Sequence, residues 1–191
     1  MPGKLDITVG PMFSGKTTRL AEIYEKSQKD GHDAVIINYI GDTRYGDEGM
    51  TTHDGITFPC IMAETLTEVW SAREQILYEK VCAHHLQLHY AKIIIINEAQ
   101  FFTDLFPVVL AMVQDGKDVY VAGLDGDYKK QKFGSILDLV PHCDNITKLR
   151  ATCFRCANPA PFTKRITEDT EQLLISVVGY KAMCRTCYEQ A

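Results

Sequence analysis

The sequence predicts an α/β fold, a parallel sheet flanked by helices, followed by a small cysteine-rich unit. Three observations predict it. Short apolar runs such as "KIIIIN" and "DVYVAGL" alternate with helical stretches, the pattern of buried parallel strands joined by right-handed crossovers. The segment "GPMFSGKT" falls between the first such run and the first helical stretch. Two cysteine pairs of like spacing, "CFRC" and "CRTC", lie near the C-terminus.

In chain order, "LDITV" is the first strand, and a helix is expected from about Thr17 to Lys29. "AVIINY" is a second strand, followed by a polar, glycine-bearing loop from Gly41 to Gly55. "LTEVWSAREQILYEK" has helical spacing, and so has "DLFPVVLAMVQDG", which separates the buried strands "KIIIIN" and "DVYVAGL". From about Leu149 the character of the chain changes. Residues 1–148 are therefore expected to form one domain and residues 149–191 a second.

Bulk properties narrow the function classes. The 191 residues suit one ordinary domain with a small appendage. A net charge of −5 argues against a nucleic-acid-binding surface. No apolar run approaches the length of a membrane span, and "MPGKLDITVG" lacks the apolar core of a secretory signal. A cytoplasmic, reducing compartment is expected, so the seven cysteines read as thiols or metal ligands before disulfides.

"GPMFSGKT" matches G-x-x-x-x-G-K-[ST] in the required strand–loop–helix setting. Gly10 and Gly15 let backbone N–H groups along Pro11, Met12, Phe13 and Ser14 turn inward around phosphates. Lys16 can reach the β- and γ-phosphates, and the Thr17 hydroxyl can bind Mg²⁺. The helix that follows adds favourable potential for an anion. ATP or GTP binding is the firmest functional expectation.

At the end of "KIIIIN" an acidic pair is usual, and here the pair is Asn97-Glu98. A carboxylate at Glu98 could accept a proton from an attacking hydroxyl, or it could be a solvated loop residue. Asn97 can hydrogen-bond a magnesium-bound water but supplies no charge. Asp54, in "THDG", could serve a metal or a turn equally well.

Cys153, Cys156, Cys184 and Cys187 form two C-x-x-C knuckles separated by 27 residues, a spacing suited to a structural, four-thiolate Zn²⁺ site. A redox dithiol pair or a disulfide is the alternative. Cys60, Cys82 and Cys143 have no partner spacing. His85 and His89 stand one helical turn apart, without an acidic residue nearby to complete a metal site, and read as a partly exposed helix face. In "LDGDYKKQKFG", Tyr128 and Phe133 could stack on a base or merely cover the core.

Taken together these residues resemble the thymidine kinase family of the cytosolic, zinc-containing type. The resemblance runs over nearly the whole chain: "GPMFSGKT", "DTRY" at 42–45, "THD" at 52–54, "EAQFF", "GLDGDYKKQKFG", "KLRATCFRC", "FTKR" and "CRTCY" occur in order. It implies a P-loop, RecA-like sheet with a small zinc-binding C-terminal domain carrying a lasso-like loop over the nucleoside. It implies transfer of the ATP γ-phosphate to the 5′-hydroxyl of thymidine or deoxyuridine, with Glu98 as base. By the same resemblance the phosphate loop, Asp54, Asn97 and Gln100 belong to the ATP and Mg²⁺ site. Met12, Phe101, Leu124, Tyr128, Phe133, Thr163 and Tyr180 surround the thymine base, and Leu174, Ile175 and Ser176 are lasso contacts. Structural Zn²⁺, a homotetramer and feedback by thymidine triphosphate are further implications.

Two departures stand out. The family usually carries Asp where this chain has Asn97, and a glycine pair where the lasso here has Ser176 and Val177. Three readings follow: a working kinase with a weakened metal grip, a catalytically silent nucleotide binder, or a kinase with altered nucleoside choice.

Overall fold

The computed structural model describes residues 1–42, 49–52, 55–71, 83–172 and 179–190. Among these, six strands form one wholly parallel sheet: β1 (Leu5–Val9), β2 (Ala34–Tyr39), β5 (Ile61–Ala63), β6 (Ile93–Ile96), β7 (Asp118–Gly123) and β8 (Asn145–Lys148). Their order is β5-β2-β6-β7-β1-β8. The phosphate-loop strand β1 and the Asn97-Glu98 strand β6 are thus separated by β7, as a RecA-like sheet requires. β3 (Met50–Thr51) and β4 (Thr57–Phe58) form a separate antiparallel pair.

Side chains on neighbouring strand positions divide between two apolar layers. Ile94 and Ile96 join Val35, Ile37, Val119 and Val121 on one face, and Ile93 and Ile95 join Ile36 and Ala122 on the other. The first layer is closed by α2 (Leu66–Ser71), α3 (Ala83–Tyr90) and α4 (Leu105–Gln114), which contribute Leu66, Trp70, Leu88, Leu105, Val109 and Met112. The second is closed by α1 (Lys16–Lys29), through Leu20 and Ala21. Leu105, Val108, Val109 and Met112 follow the i, i+3, i+4, i+7 spacing of one helix face. Pro107 sits in the first turn of α4, where no intrahelical donor is lost. Truncating one of the fully buried isoleucines to alanine would cost about 2–5 kcal/mol.

Among the described residues the expected strands and helices are present, with β5 as an unforeseen edge strand and further differences. The stretch from Leu66 is helical to Ser71, and its continuation through Lys80 lies outside the described residues. The expected loop 41–55 contributes β3, whose pairing with β4 brings Met50 and Phe58 into the second layer. Two isolated apolar residues make no periodic pattern, so the sequence carried no sign of it. β8 also has no apolar signature: all of it is exposed or half-buried, and it forms because β1 offers it an open ladder.

Beyond Lys148, β9 (Ala151–Thr152) pairs with β10 (Pro159–Ala160), and β11 (Phe162–Arg165) with β12 (Tyr180–Met183), before α5 (Arg185–Glu189). These pieces enclose a core of their own around Ala151, Ala160, Ala182, Met183 and Tyr188.

Candidate active site

Four adjacent strands bring their carboxyl ends together. β1 leads into Gly10, β2 carries Asn38, β6 delivers Asn97 and Glu98, and β7 runs into Leu124. Ligands of open parallel sheets bind at this end of the strands.

The phosphate loop is built on unusual backbone. Phe13 and Gly15 adopt φ of 64° and 83°, and a bulky residue at positive φ is strained. A Cβ on Gly10 would stand 2.8 Å from the Leu149 carbonyl oxygen and 2.9 Å from Ser14 Oγ, so only glycine fits. α1 starts with Gly15 as its N-cap, without a side-chain cap and without an acid in its first turn. Its first amides are thereby left to an incoming anion. Pro11 gives its carbonyl to Ser14 Oγ and to Lys16 Nζ, both at 2.8 Å. A cavity of about 80 Å³ is lined by Met12 through Thr18 together with Thr51, Glu98 and Leu124. A smaller hollow of about 20 Å³ beside it is walled by Thr17, Asn38, Asp42, Asn97 and Glu98, among others. That donor set is rich in oxygen, as Mg²⁺ prefers.

Glu98 itself has φ 52° and is 8% exposed. Gln100, also buried, donates from Nε2 to Glu98 Oε2 at 2.6 Å and accepts from Leu124 N–H at 2.9 Å. Asn97 donates its amide N–H to Asn38 Oδ1 at 2.9 Å, and both residues are buried.

Next to the loop, Met12, Leu124 and Tyr180 form an apolar cluster against which Tyr128 and Phe133 pack. Phe101 meets Phe133 edge-on at 5.5 Å between ring centres. Thr163 Oγ1 accepts from Met12 N–H at 3.0 Å, tying the phosphate loop to β11. Arg165 is buried among these residues. It donates to the carbonyls of Asp169, Glu171 and Gln172 and to the Tyr180 hydroxyl, with its guanidinium 3.9 Å from the centre of the Tyr128 ring. Tyr128 donates to the Thr170 carbonyl, and Gln172 donates to Asp127.

The four cysteine sulfurs of Cys153, Cys156, Cys184 and Cys187 lie within 4.8 Å of one another. A tetrahedral zinc with Zn–S bonds of about 2.3 Å needs sulfurs about 3.8 Å apart, so the set fits. Backbone hydrogen bonding, first from Cys184, pulls the Cys153 thiol down to about 6. Hydrogen bonds with Cys156 and Cys184 push Cys187 up to about 12. Such a group binds protons collectively and releases them to a metal.

The structure therefore assembles Gly10 to Thr17, Asn97, Glu98 and Gln100 at one end of the sheet. It groups Met12, Phe101, Leu124, Tyr128, Phe133, Thr163 and Tyr180 beside them. Asp54, Leu174, Ile175 and Ser176 lie outside the described residues. His89 is exposed and packs on Tyr90, while the side chains of His84 and His85 lie outside the description. Sequence reasoning missed Asn38, Asp42 and Arg165 as site residues. The available signal was a polar residue closing the apolar run "AVIIN", and an arginine two positions after Thr163. A larger hollow of about 530 Å³, lined by Tyr24, Cys60, Gln87 and Tyr90 among others, opens at the amino ends of the strands. It contains none of the site residues, and the smaller cavities at the carboxyl ends are the ones where chemistry converges.

Residues 3–188 match the family model described as thymidine kinase. The chain is 40% identical over 190 residues to a rice thymidine kinase, covering 98% of this chain and 66% of that protein. It is 35% identical over 192 residues to the cytosolic thymidine kinase of Gallus gallus, covering 98% and 78%. It is 33% identical over 190 residues to the thymidine kinase of Myxoma virus (strain Uriarra), covering 97% and 96%. No helix among the described residues is long and apolar enough to cross a membrane. With phosphate loop, carboxylate, aromatic cluster and cysteine knuckles all in sequence and in space, the chain belongs to the thymidine kinase family.

Proposed function

We propose that this protein is an ATP-dependent thymidine kinase acting in the cytoplasm on thymidine and deoxyuridine. The observation that carries the reading is the meeting of three parts at the carboxyl ends of adjacent strands: the phosphate loop, Glu98 and the Met12–Leu124–Tyr180 cluster.

In this reading the loop amides and Lys16 hold the triphosphate, and the aromatic cluster holds the thymine. Glu98 takes the proton from the 5′-hydroxyl. The freed oxygen pair bonds to the γ-phosphorus, the bond from that phosphorus to the β,γ-bridging oxygen breaks, and ADP leaves with those electrons. Little covalent work falls to the protein, so holding the two substrates in line supplies most of the acceleration. Thr17 and Asn97 would hold Mg²⁺ directly or through water, and the ion would neutralise charge on the β- and γ-oxygens. Residues 149–191 serve as a zinc-pinned unit whose lasso covers the nucleoside and keeps water from the phosphate. A homotetramer and inhibition by thymidine triphosphate complete the proposal.

The test is transfer of labelled γ-phosphate from ATP to thymidine across a Mg²⁺ titration, beside deoxycytidine and deoxyguanosine. Thymidine-selective turnover is expected. Because Asn97 brings no charge, Asn97→Asp should reach half-maximal rate at several-fold lower Mg²⁺, with Asn38 reorienting its amide to donate to the new carboxylate. No turnover at any Mg²⁺ concentration, in protein that binds ATP, would overturn the reading. Equal Mg²⁺ dependence of the two proteins would remove Asn97 from the metal site.

A further inference from the structure

The family resemblance places Gln100 in the ATP and metal site, but its contacts point elsewhere. Both ends of its amide are occupied inside the protein: Nε2 by Glu98 Oε2 at 2.6 Å, Oε1 by Leu124 N–H at 2.9 Å. The orientation of that amide follows from chemistry. A backbone N–H can only donate, so the oxygen must face Leu124, and the NH₂ group must then face the carboxylate.

The surroundings make room for it. A Cβ on Gly123 would lie 2.6 Å from Gln100 Oε1, and one on Gly134 would lie 2.3 Å from the Gln100 carbonyl oxygen. Two glycines from different segments thus make room for this one residue, which is 3% exposed. Leu124, whose amide it grips, belongs to the apolar cluster beside the loop. Gln100 is therefore a rigid strut between the wall of the nucleoside pocket and the carboxylate of Glu98.

We infer that Gln100 is a positioning residue for the catalytic base, rather than a ligand of ATP or Mg²⁺. It fixes the rotamer of Glu98 by donating to one oxygen of its carboxylate. This rests on the role of Glu98 as base given above. Among the described residues, the charged groups lining the cavities with Glu98 are Lys16 and Asp42, from the phosphate loop and the chain just after β2. Both are unchanged in the variants below, so a difference between variants reports the strut.

The experiment compares wild type with Gln100→Glu by steady-state kinetics in thymidine, ATP and Mg²⁺ at one pH. The ionised substituted carboxylate can still accept from Leu124 N–H but cannot donate to Glu98, so one end of the strut is kept and the other lost. The expected result is a kcat lower by about tenfold or more, with the KM of thymidine and of ATP and the Mg²⁺ requirement each within about twofold of wild type. Gln100→Met, of similar length and uncharged, replaces Gln100→Glu if the latter does not fold, with kcat again reduced and ATP KM again unchanged. A raised ATP KM or Mg²⁺ requirement would make Gln100 a nucleotide ligand and overturn the inference. Lower kcat with a raised thymidine KM and a lowered melting temperature would reduce it to a structural role and also overturn it, as would unaltered kinetics. An inactive wild type would instead refute the kinase assignment itself.

Discussion

Replacing Arg165 by methionine should loosen one wall of the proposed nucleoside pocket while leaving the phosphate loop intact. The guanidinium is 5% exposed and serves the carbonyls of Asp169, Glu171 and Gln172, the Tyr180 hydroxyl and the Tyr128 ring. The three carbonyls belong to exposed residues and regain water when it is removed. The buried Tyr180 hydroxyl and the Tyr128 ring do not. Losing a charged hydrogen bond costs about 1.5–3 kcal/mol, and a desolvated cation–π contact about 1 kcal/mol more. The sum, about 2.5–4 kcal/mol, is local to the segment 166–172 and Tyr180. A reporter lies within it: the Ile166 N–H donates to the Gly179 carbonyl at 2.9 Å. Exchange of that amide should accelerate by about 60- to 700-fold at tenfold per 1.4 kcal/mol. Thymidine KM should rise at least tenfold, and ATP KM should stay within about twofold. Arg165→Lys should recover only part, since one ammonium cannot span the same acceptors. Unchanged Ile166 exchange together with unchanged thymidine KM in Arg165→Met would refute the reasoning.

Two further outcomes are expected. Purified protein should contain about one zinc per chain, and Cys153→Ser or a strong chelator should lower zinc content and thymidine affinity together while ATP binding, measured by calorimetry, persists. Joint loss of ATP binding would show that the two parts do not fold separately. Asp104 accepts from the Leu66 and Thr67 amides at the start of α2 and from the Thr67 hydroxyl. Burial pushes its carboxyl up, but these hydrogen bonds outweigh burial and hold it below the ordinary range. Its contribution is therefore complete above the unfolded carboxylate value and lost as pH falls through the folded one. Asp104→Ala should cost about 1 kcal/mol at pH 7 in a denaturant melt and progressively less as pH falls below the ordinary carboxylate range; a cost that does not change with pH would separate it from that carboxylate.

Much of this architecture was legible because several independent signals coincided at the same positions. The phosphate loop needs glycines, a lysine and a hydroxyl at set spacing between a strand and a helix, and "GPMFSGKT" supplies them all. The cysteine knuckles were legible for the same reason, and their sulfurs do converge. Asn38 and Arg165 were hidden because their roles depend on partners 59 and 15 residues away in sequence. The strand β8 was hidden because its stability lies in its neighbour's open edge, and the pair β3–β4 because two lone apolar residues carry no period. The place of Gln100 next to Glu98 was visible, but that its amide oxygen would accept from Leu124 N–H depends on where β7 ends.

The four isoleucines of β6 have a consequence for how the chain finds its alignment. Because both faces of that strand are equally apolar, sliding it by one position exchanges one isoleucine for another, and the oily layers cannot tell the difference. What such a slide cannot hide is its ends: it would pull Asn97 or Lys92 into the sheet. Lys92 is held by the Gly116 carbonyl and Asp118, and Asn97 by the Ile37 carbonyl and Asn38. These two polar clamps count the strand to within one residue, a step of about 3.3 Å. In the proposed reaction a slip of that size would carry Glu98 out of reach of its proton, so the bond between Asn97 and Asn38 would also serve as the ruler by which that reaction is aligned.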